Sequence, residues 1–464
     1  MKKQNNYITL NPVLKFRLVI MLILGFLSSC ESFVEVELPN NQVNGQSVFE
    51  NAGTATAAMV HIYAELQNNT LLHAQTNSMT TSLGLYTDEM DLFGTSPYYN
   101  NTLIPTDDNV LTVWGNSYSL IYAANAVIEG LNSSDTVSQE DKDQLIGEAL
   151  FTRALIHFYL TNLYGDIPYI ETTDYEKNTK ASKINVAEVY KKIIQDLLDA
   201  KDLIGNAYLT SERTRPNKGT VSALLSRVYL YSEEWQLAEQ ESSELIADTG
   251  IYMWENDVTK VFLKESPSTI WQFKPGSVGG NTLEAYTYIF VTVPPPYVAL
   301  SSTLINAFEA GDMRMTNWVG SVTDGTDTWY HAYKYKQSEN TGTSLEYSKI
   351  FRLAEQFLIR SEARARTGNI NGAQADLNVI RTRSGLTNTT AATIDDLLDA
   401  ILQERQIELF VEHGHRFFDL KRMDKADEEL SPVKPGWNTT DILFPIPEEE
   451  ILVNSNLLPQ NPGY

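Results

Sequence analysis

Along most of the chain apolar residues return every three or four positions, the spacing of one face of an α-helix. Val186, Val189, Tyr190, Ile193, Ile194, Leu197 and Leu198 share one such face. Just before it, Asn185 and Glu188 have the side chains and spacing of a capping box, which predicts a helix start there. The same period runs through residues 112–131, 142–164 and 394–413, and Gly414 is placed to end the last of these as a C′ glycine. Two longer stretches repeat one another. Residues 222–246 predict a helix carrying Leu225, Ser226 and Tyr229, a turn, and a second helix starting near Ala238. In residues 354–380, Ser361 takes the place of Ser226 and Ala373 that of Ala238, with Gly368 and Asn369 at the turn. Small residues there let paired helices approach closely, and the spacing predicts degenerate tetratricopeptide units. Residues 266–280, 285–298 and 326–337 differ: they are β-rich, aromatic and punctuated by Gly and Pro, which predicts short strands and long loops. The expected fold class is mostly α, a tetratricopeptide-like scaffold of helical hairpins with long loops and a few short strands.

One apolar run breaks this pattern. Leu18 to Leu27 follows Lys2, Lys3, Lys15 and Arg17 and leads into Leu27-Ser28-Ser29-Cys30. It is about half the ~20 residues that a helix needs to cross a bilayer. Residues 1–29 therefore read as a cleaved export signal. The Leu-Ser-Ser-Cys tetrapeptide is similar to a bacterial lipobox, and Cys30, the only cysteine in 464 residues, is the expected lipidation site. Each buried CH₂ of a lipid chain contributes about 0.8 kcal/mol, so a multiply acylated terminus anchors firmly. Residues 30–45 are then a polar tether. Residues 46–464 form the folded domain, with an N-terminal part to about 260 and a C-terminal part from about 261.

The formal net charge of −24 repels phosphate backbones, and no basic stripe offsets it, so nucleic acid is not an expected partner. With Cys30 committed to lipid, no thiol remains for a disulfide, a CxxC metal site or a nucleophile. His413 and His415 are candidate metal ligands, but a hydrolytic zinc site needs a third ligand and an open position. Their spacing is also unlike HExxH. Glu404, Glu408 and Glu412 read as a salt-bridged helix face pairing with Arg405 or Arg416. The run Glu448–Glu450 reads as architecture too, and no GxSxG, P-loop or Rossmann fingerprint is present. No catalytic residue and no cofactor is expected; Asp107, Asp108 and Asn109 are candidate ligands for a structural calcium.

Binding has a different signature. Among 24 Tyr and 7 Trp, several rings sit in loop-like stretches: Tyr98, Tyr99, Tyr286, Tyr288, Trp318 and Trp329. The apolar face of a sugar stacks on such rings while nearby Asn, Asp and Thr bond its hydroxyls. These six are the candidate ligand-binding residues; Trp318, Trp329 and at least one of Tyr98, Tyr99, Tyr286 or Tyr288 are expected to face a common exposed concavity. Tyr118, Tyr122, Tyr159 and Tyr229 lie on helix stripes and are assigned to the core.

Several ordered motifs resemble the SusD/RagB nutrient-uptake lipoproteins of Gram-negative outer membranes. They are RALIHFYLTNLYGDIPYI from Arg153, RPNKGTVSALLSRVYLY from Arg215, and YKYK followed by IFRLAEQFLIRSEARARTGN. The most specific are ERQIELFVEHGHRFFDLKR from Glu404 and LFPIPEEEILVNSNLLPQNPGY, closing at Tyr464. The commonest family form has one residue fewer between Glu412 and Arg416, so the HGH turn is expected to differ locally. The resemblance implies a surface-facing outer-membrane lipoprotein, the lid and capture subunit of a SusC-like TonB-dependent transporter. Its ligand in the family is usually a glycan and sometimes a peptide. The resemblance also implies, by region and not residue by residue, that binding aromatics come from loops near the six candidate rings. A surface glycoside hydrolase is the enzymatic alternative.

Overall fold

The long periodic stretches do form helices. The computed structural model describes residues 47–464 apart from 69, 70, 73 and 77. The export signal, Cys30 and the tether lie outside the described residues. The long helices are α1 (Ala52–Asn68), α2 (Asp108–Ser133), α3 (Gln139–Tyr164), α4 (Val186–Leu203), α5 (Lys218–Tyr231), α6 (Trp235–Ala247), α7 (Leu353–Arg366), α8 (Ile370–Arg383) and α9 (Ile394–Leu409). Helix α3 is buried almost all round from Leu145 onward, between α2 and α4. A helix without a solvent face must satisfy its polar side chains internally. Accordingly Arg153 donates to both carboxylate oxygens of Asp196 and to Asn125, while Glu148 accepts from Arg215 and from the Tyr63 hydroxyl.

The two repeats are helical hairpins, α5–α6 and α7–α8, and α6 packs on α7 so that the hairpins stack. Ser226, Ala238, Ser361 and Ala373 are all fully buried at the close approaches, and Ser361 Oγ donates to the Ala373 carbonyl at 2.8 Å. The second helix of the first hairpin starts at Trp235, slightly earlier than Ala238. Gly368 takes the left-handed φ of 83° that the turn between α7 and α8 requires.

Three local expectations are corrected. At the start of α4, Asn185 accepts from the Glu188 amide, but the Glu188 carboxylate turns to Lys191, so only half of the capping box forms. Helix α9 ends at Leu409, and Gly414, at φ 76°, directly precedes the next helix, His415–Arg422. The turn between them also holds Val411 and His413 at positive φ. Residues 285–288, the start of a stretch expected to be β-rich, lie instead in a short helix, Leu283–Tyr288, which Thr282 caps by accepting from the Ala285 amide.

Among the described residues six strands complete the fold: β1 (Met90–Leu92), β2 (Thr269–Phe273), β3 (Val298–Leu300), β4 (Val319–Thr323), β5 (Thr328–Ala332) and β6 (Ser348–Arg352). An antiparallel sheet has the order β1-β3-β5-β4, and β2 pairs with β6 in a separate buried ribbon. Residues 48–464 are one compact unit. The main core spans both sequence halves, with Trp271 of β2 packed on Tyr63 and Phe151. A second core of Met90, Val298, Leu300, Leu304, Trp318 and Phe410 lies under the four-stranded sheet.

Candidate ligand-binding site

The six candidate rings divide into two groups. Trp318 ends a short helix, Met313–Trp318, and is wholly buried. Its indole N–H donates to the Val258 carbonyl at 2.8 Å, Phe262 meets it edge-on, and the Lys334 and Arg383 cations lie 5.4 and 5.3 Å from its ring. Tyr288 is buried at the end of the helix Leu283–Tyr288 with its hydroxyl 3.0 Å from Thr81 Oγ1, and burial pushes its phenol up. Tyr98 is buried too, edge-on to Tyr86 and Phe444. Its one-turn helix, capped by Ser96 and opened by Pro97, turns it inward. These three are core residues, and the expectation that they face ligand is corrected. Each sits on a short helix whose inner side a loop-like local sequence does not reveal.

Tyr99, Tyr286 and Trp329 remain accessible. The register of the sheet explains how two of them meet one surface. Along β5, Tyr330 and Ala332 pack toward the second core, so Trp329 and His331 point to the opposite face. Asp91 of β1 pairs with Ala299, the neighbour of core-facing Leu300, and so shares that opposite face. Tyr99 donates its hydroxyl to Asp91 Oδ1 at 3.2 Å, while the Lys434 ammonium lies 4.1 Å from its ring centre. Tyr99 therefore borders the β1 side and Trp329 stands on the β4–β5 hairpin. Between them His331 lies across Gly320, where a Cβ would come within 2.3 Å of the imidazole, and Phe290 packs edge-on against it. Only glycine leaves room for that ring. Tyr286 is 74% exposed on the helix that packs against β5.

Because Trp318 is wholly buried, the exposed concavity expected to hold it together with Trp329 is corrected. A cavity of only about 20 Å³ includes Tyr288, together with Glu284, Lys334, Lys349 and Glu412, and holds none of the other five rings. Two larger clefts, of about 570 and 500 Å³, are lined by none of the six. The first lies beside Asn162, Asp166, Lys183 and the Pro459–Pro462 segment. There burial lowers the Lys421 ammonium to about 7. The second is aromatic and holds Trp114, Tyr118 and Tyr122 of α2. Tyr159 and Tyr229 are buried as expected, whereas Tyr122 is half exposed and its assignment to the core is corrected. The four-residue spacing of those three rings was the signal that sequence reasoning set aside.

The profile of a family described as SusD-like, starch-binding and associating with outer membrane matches residues 33–230, and that of the SusD family matches residues 313–441. The chain belongs to the SusD/RagB family. The SusD-like protein P2 of Formosa agariphila is 27% identical over 97% of this chain and 100% of its own length. Among solved structures, a SusD superfamily protein from Bacteroides vulgatus superposes with a TM-score of 0.76 at 19% identity, covering 90% of this chain and all of that one. A laminarin-binding SusD-like protein gives 0.73 at 24%, covering 89% and 99%. The tetratricopeptide-like helical scaffold is thus the SusD fold.

In this SusD/RagB chain the residues that invited an enzymatic reading have structural partners. Glu408 accepts from Arg314, Arg352 and Arg383, and those guanidinium groups hold its carboxyl well below the usual range despite burial. Glu404 pairs with Arg314 and Arg381, and Glu412 with Lys334 and Arg352. Arg405 and Arg416, the partners expected from sequence, bind Asp419 and Asp88 instead. His413 is buried with Nε2 2.8 Å from the Lys349 carbonyl, and burial lowers both it and His415. Asp107 spends a carboxylate oxygen on the Ile104 amide. Among the described residues no group of three or more His, Cys, Asp or Glu is arranged to hold a metal.

Proposed function

We propose that this protein captures an oligosaccharide at the cell surface and delivers it to a SusC-like TonB-dependent transporter in the outer membrane. In this reading residues 1–29 are removed on export, Cys30 carries the lipid, and residues 30–45 tether the domain of residues 46–464 above the membrane. The observation that carries the reading is the pair of accessible rings, Trp329 and Tyr286, standing beside one sheet in a member of a family described as starch-binding. Rings left in water expose apolar area that a sugar face can cover. Tyr99, held by Asp91 and Lys434, is a third, prepositioned contact. Among the described residues no helix is long and apolar enough to cross a membrane; in this reading the channel is the partner barrel.

Two measurements test this. The full chain and its Cys30→Ala variant are expressed in a Gram-negative host that processes lipoproteins. The parent is expected in the outer membrane after a carbonate wash, and the variant unprocessed or released. Affinity purification of the parent from its native outer membrane in mild detergent is expected to recover a TonB-dependent barrel in stoichiometric amount. Retention of the variant, or recovery of the parent alone, contradicts the anchor and the delivery role respectively.

A further inference from the structure

The aromatic cleft of about 500 Å³ lies between α2, the extended segment after α3 and the short helix Glu448–Val453. Its size falls in the range of about 300–1,000 Å³ typical of small-ligand sites. Its inner wall is fixed. Trp114 is buried, edge-on to Tyr164, and Tyr118 packs 4.9 Å from it with its hydroxyl donated to the Pro168 carbonyl at 2.8 Å. Its rim is unspent. Tyr122 and Tyr175 are 51% and 77% exposed, and neither hydroxyl has a partner among the described residues.

Glu450 adds an independent observation. It is half-buried in the same cleft, and its carboxylate makes neither an ion pair nor a hydrogen bond among the described residues. Elsewhere in this chain the buried carboxylates of Glu148, Glu355, Glu362 and Glu408 each hold a guanidinium. Half-buried and without a protein donor, the Glu450 carboxylate is an acceptor that a ligand hydroxyl can use.

We propose that this cleft is a second carbohydrate site, in which a short stretch of oligosaccharide stacks its CH faces on Tyr122 and Tyr175 and donates a hydroxyl to Glu450. The inference rests on the capture function above but uses other residues. A sugar fits better than a basic side chain because the remaining polar lining, Asn178 and Asn454 among it, is neutral and offers no second carboxylate. Burial and neighbouring Glu449 also raise the Glu450 carboxyl, which disfavours the charge that a cation would need.

The test is calorimetric titration of the full chain in detergent against soluble glucan, mannan, xylan and galactan oligosaccharides. It compares the parent with Tyr122→Ala, Glu450→Gln and a Tyr286→Ala/Trp329→Ala double variant. At least one sugar is expected to bind the parent at two sites. Tyr122→Ala and Glu450→Gln are expected to weaken one of them by about tenfold, with unchanged melting temperature, while the double variant weakens only the other. Parent-like binding by both cleft variants, when the double variant is impaired, overturns the second site and leaves the capture function standing. Binding of a lysine-rich peptide that Glu450→Gln abolishes, with no sugar effect, also overturns it. Failure of the parent to bind any sugar overturns both readings.

Discussion

At the scale of single residues, burial separates rings that sequence context made look alike. Trp318 and Trp329 are eleven positions apart and both sit in loop-like sequence, yet one is core and the other stands on a hairpin. Trp318→Ala is expected to cost about 3–5 kcal/mol of stability, read from denaturant unfolding, whereas Trp329→Ala is expected to leave the unfolding midpoint nearly unchanged. Equal midpoints would contradict the placement of Trp318. Glu89 gives a second residue-level expectation. Burial, then the charge of Asp88, raises its carboxyl from 4.5 to about 8 against the Val411 amide and Arg416, which pull it down. The folded state therefore keeps a proton that the unfolded chain releases, so Glu89 supports stability below pH 4.5 and loses that contribution as pH rises to about 8. Glu89→Gln is expected to gain on the parent between those limits; a stability difference independent of pH would contradict it.

At the scale of elements, the helices were legible because their apolar faces repeat locally, and the hairpins because Ser226/Ser361, Ala238/Ala373 and Gly368 mark close approach and turn. What was not legible depends on distance along the chain. Glu408 finds its arginines 94, 56 and 25 residues away, which no i,i+4 argument could name. Tyr98 and Tyr288 were lost to short helices whose caps, Ser96 and Thr282, orient them inward. Tyr122 was lost the other way, since a stripe on α2 does not tell where the neighbouring elements stop. The hairpin packing carries its own expectation. Ala373→Leu forces a larger side chain against Ser361 and should destabilise by about 1–3 kcal/mol, with the loss visible in thermal unfolding. A variant as stable as the parent would mean that α7 and α8 are not held as closely as the Ser361–Ala373 hydrogen bond implies.

At the scale of the whole molecule, a stacked helical scaffold with a shared core carries a small sheet whose outer face and flanking helix present Tyr99, Tyr286 and Trp329. The rigid part is the scaffold; the rings are accessible features supported by it. The central claim is that these accessible rings hold an oligosaccharide. It is tested most directly by titrating the parent and the Tyr286→Ala/Trp329→Ala variant with the tightest sugar found for the parent, alongside their melting temperatures. The account predicts a loss of about 2 kcal/mol or more at the sheet-side site, roughly thirtyfold in affinity, at an unchanged melting temperature. Undiminished affinity for that sugar at the sheet-side site, in a variant that is fully folded, would contradict it.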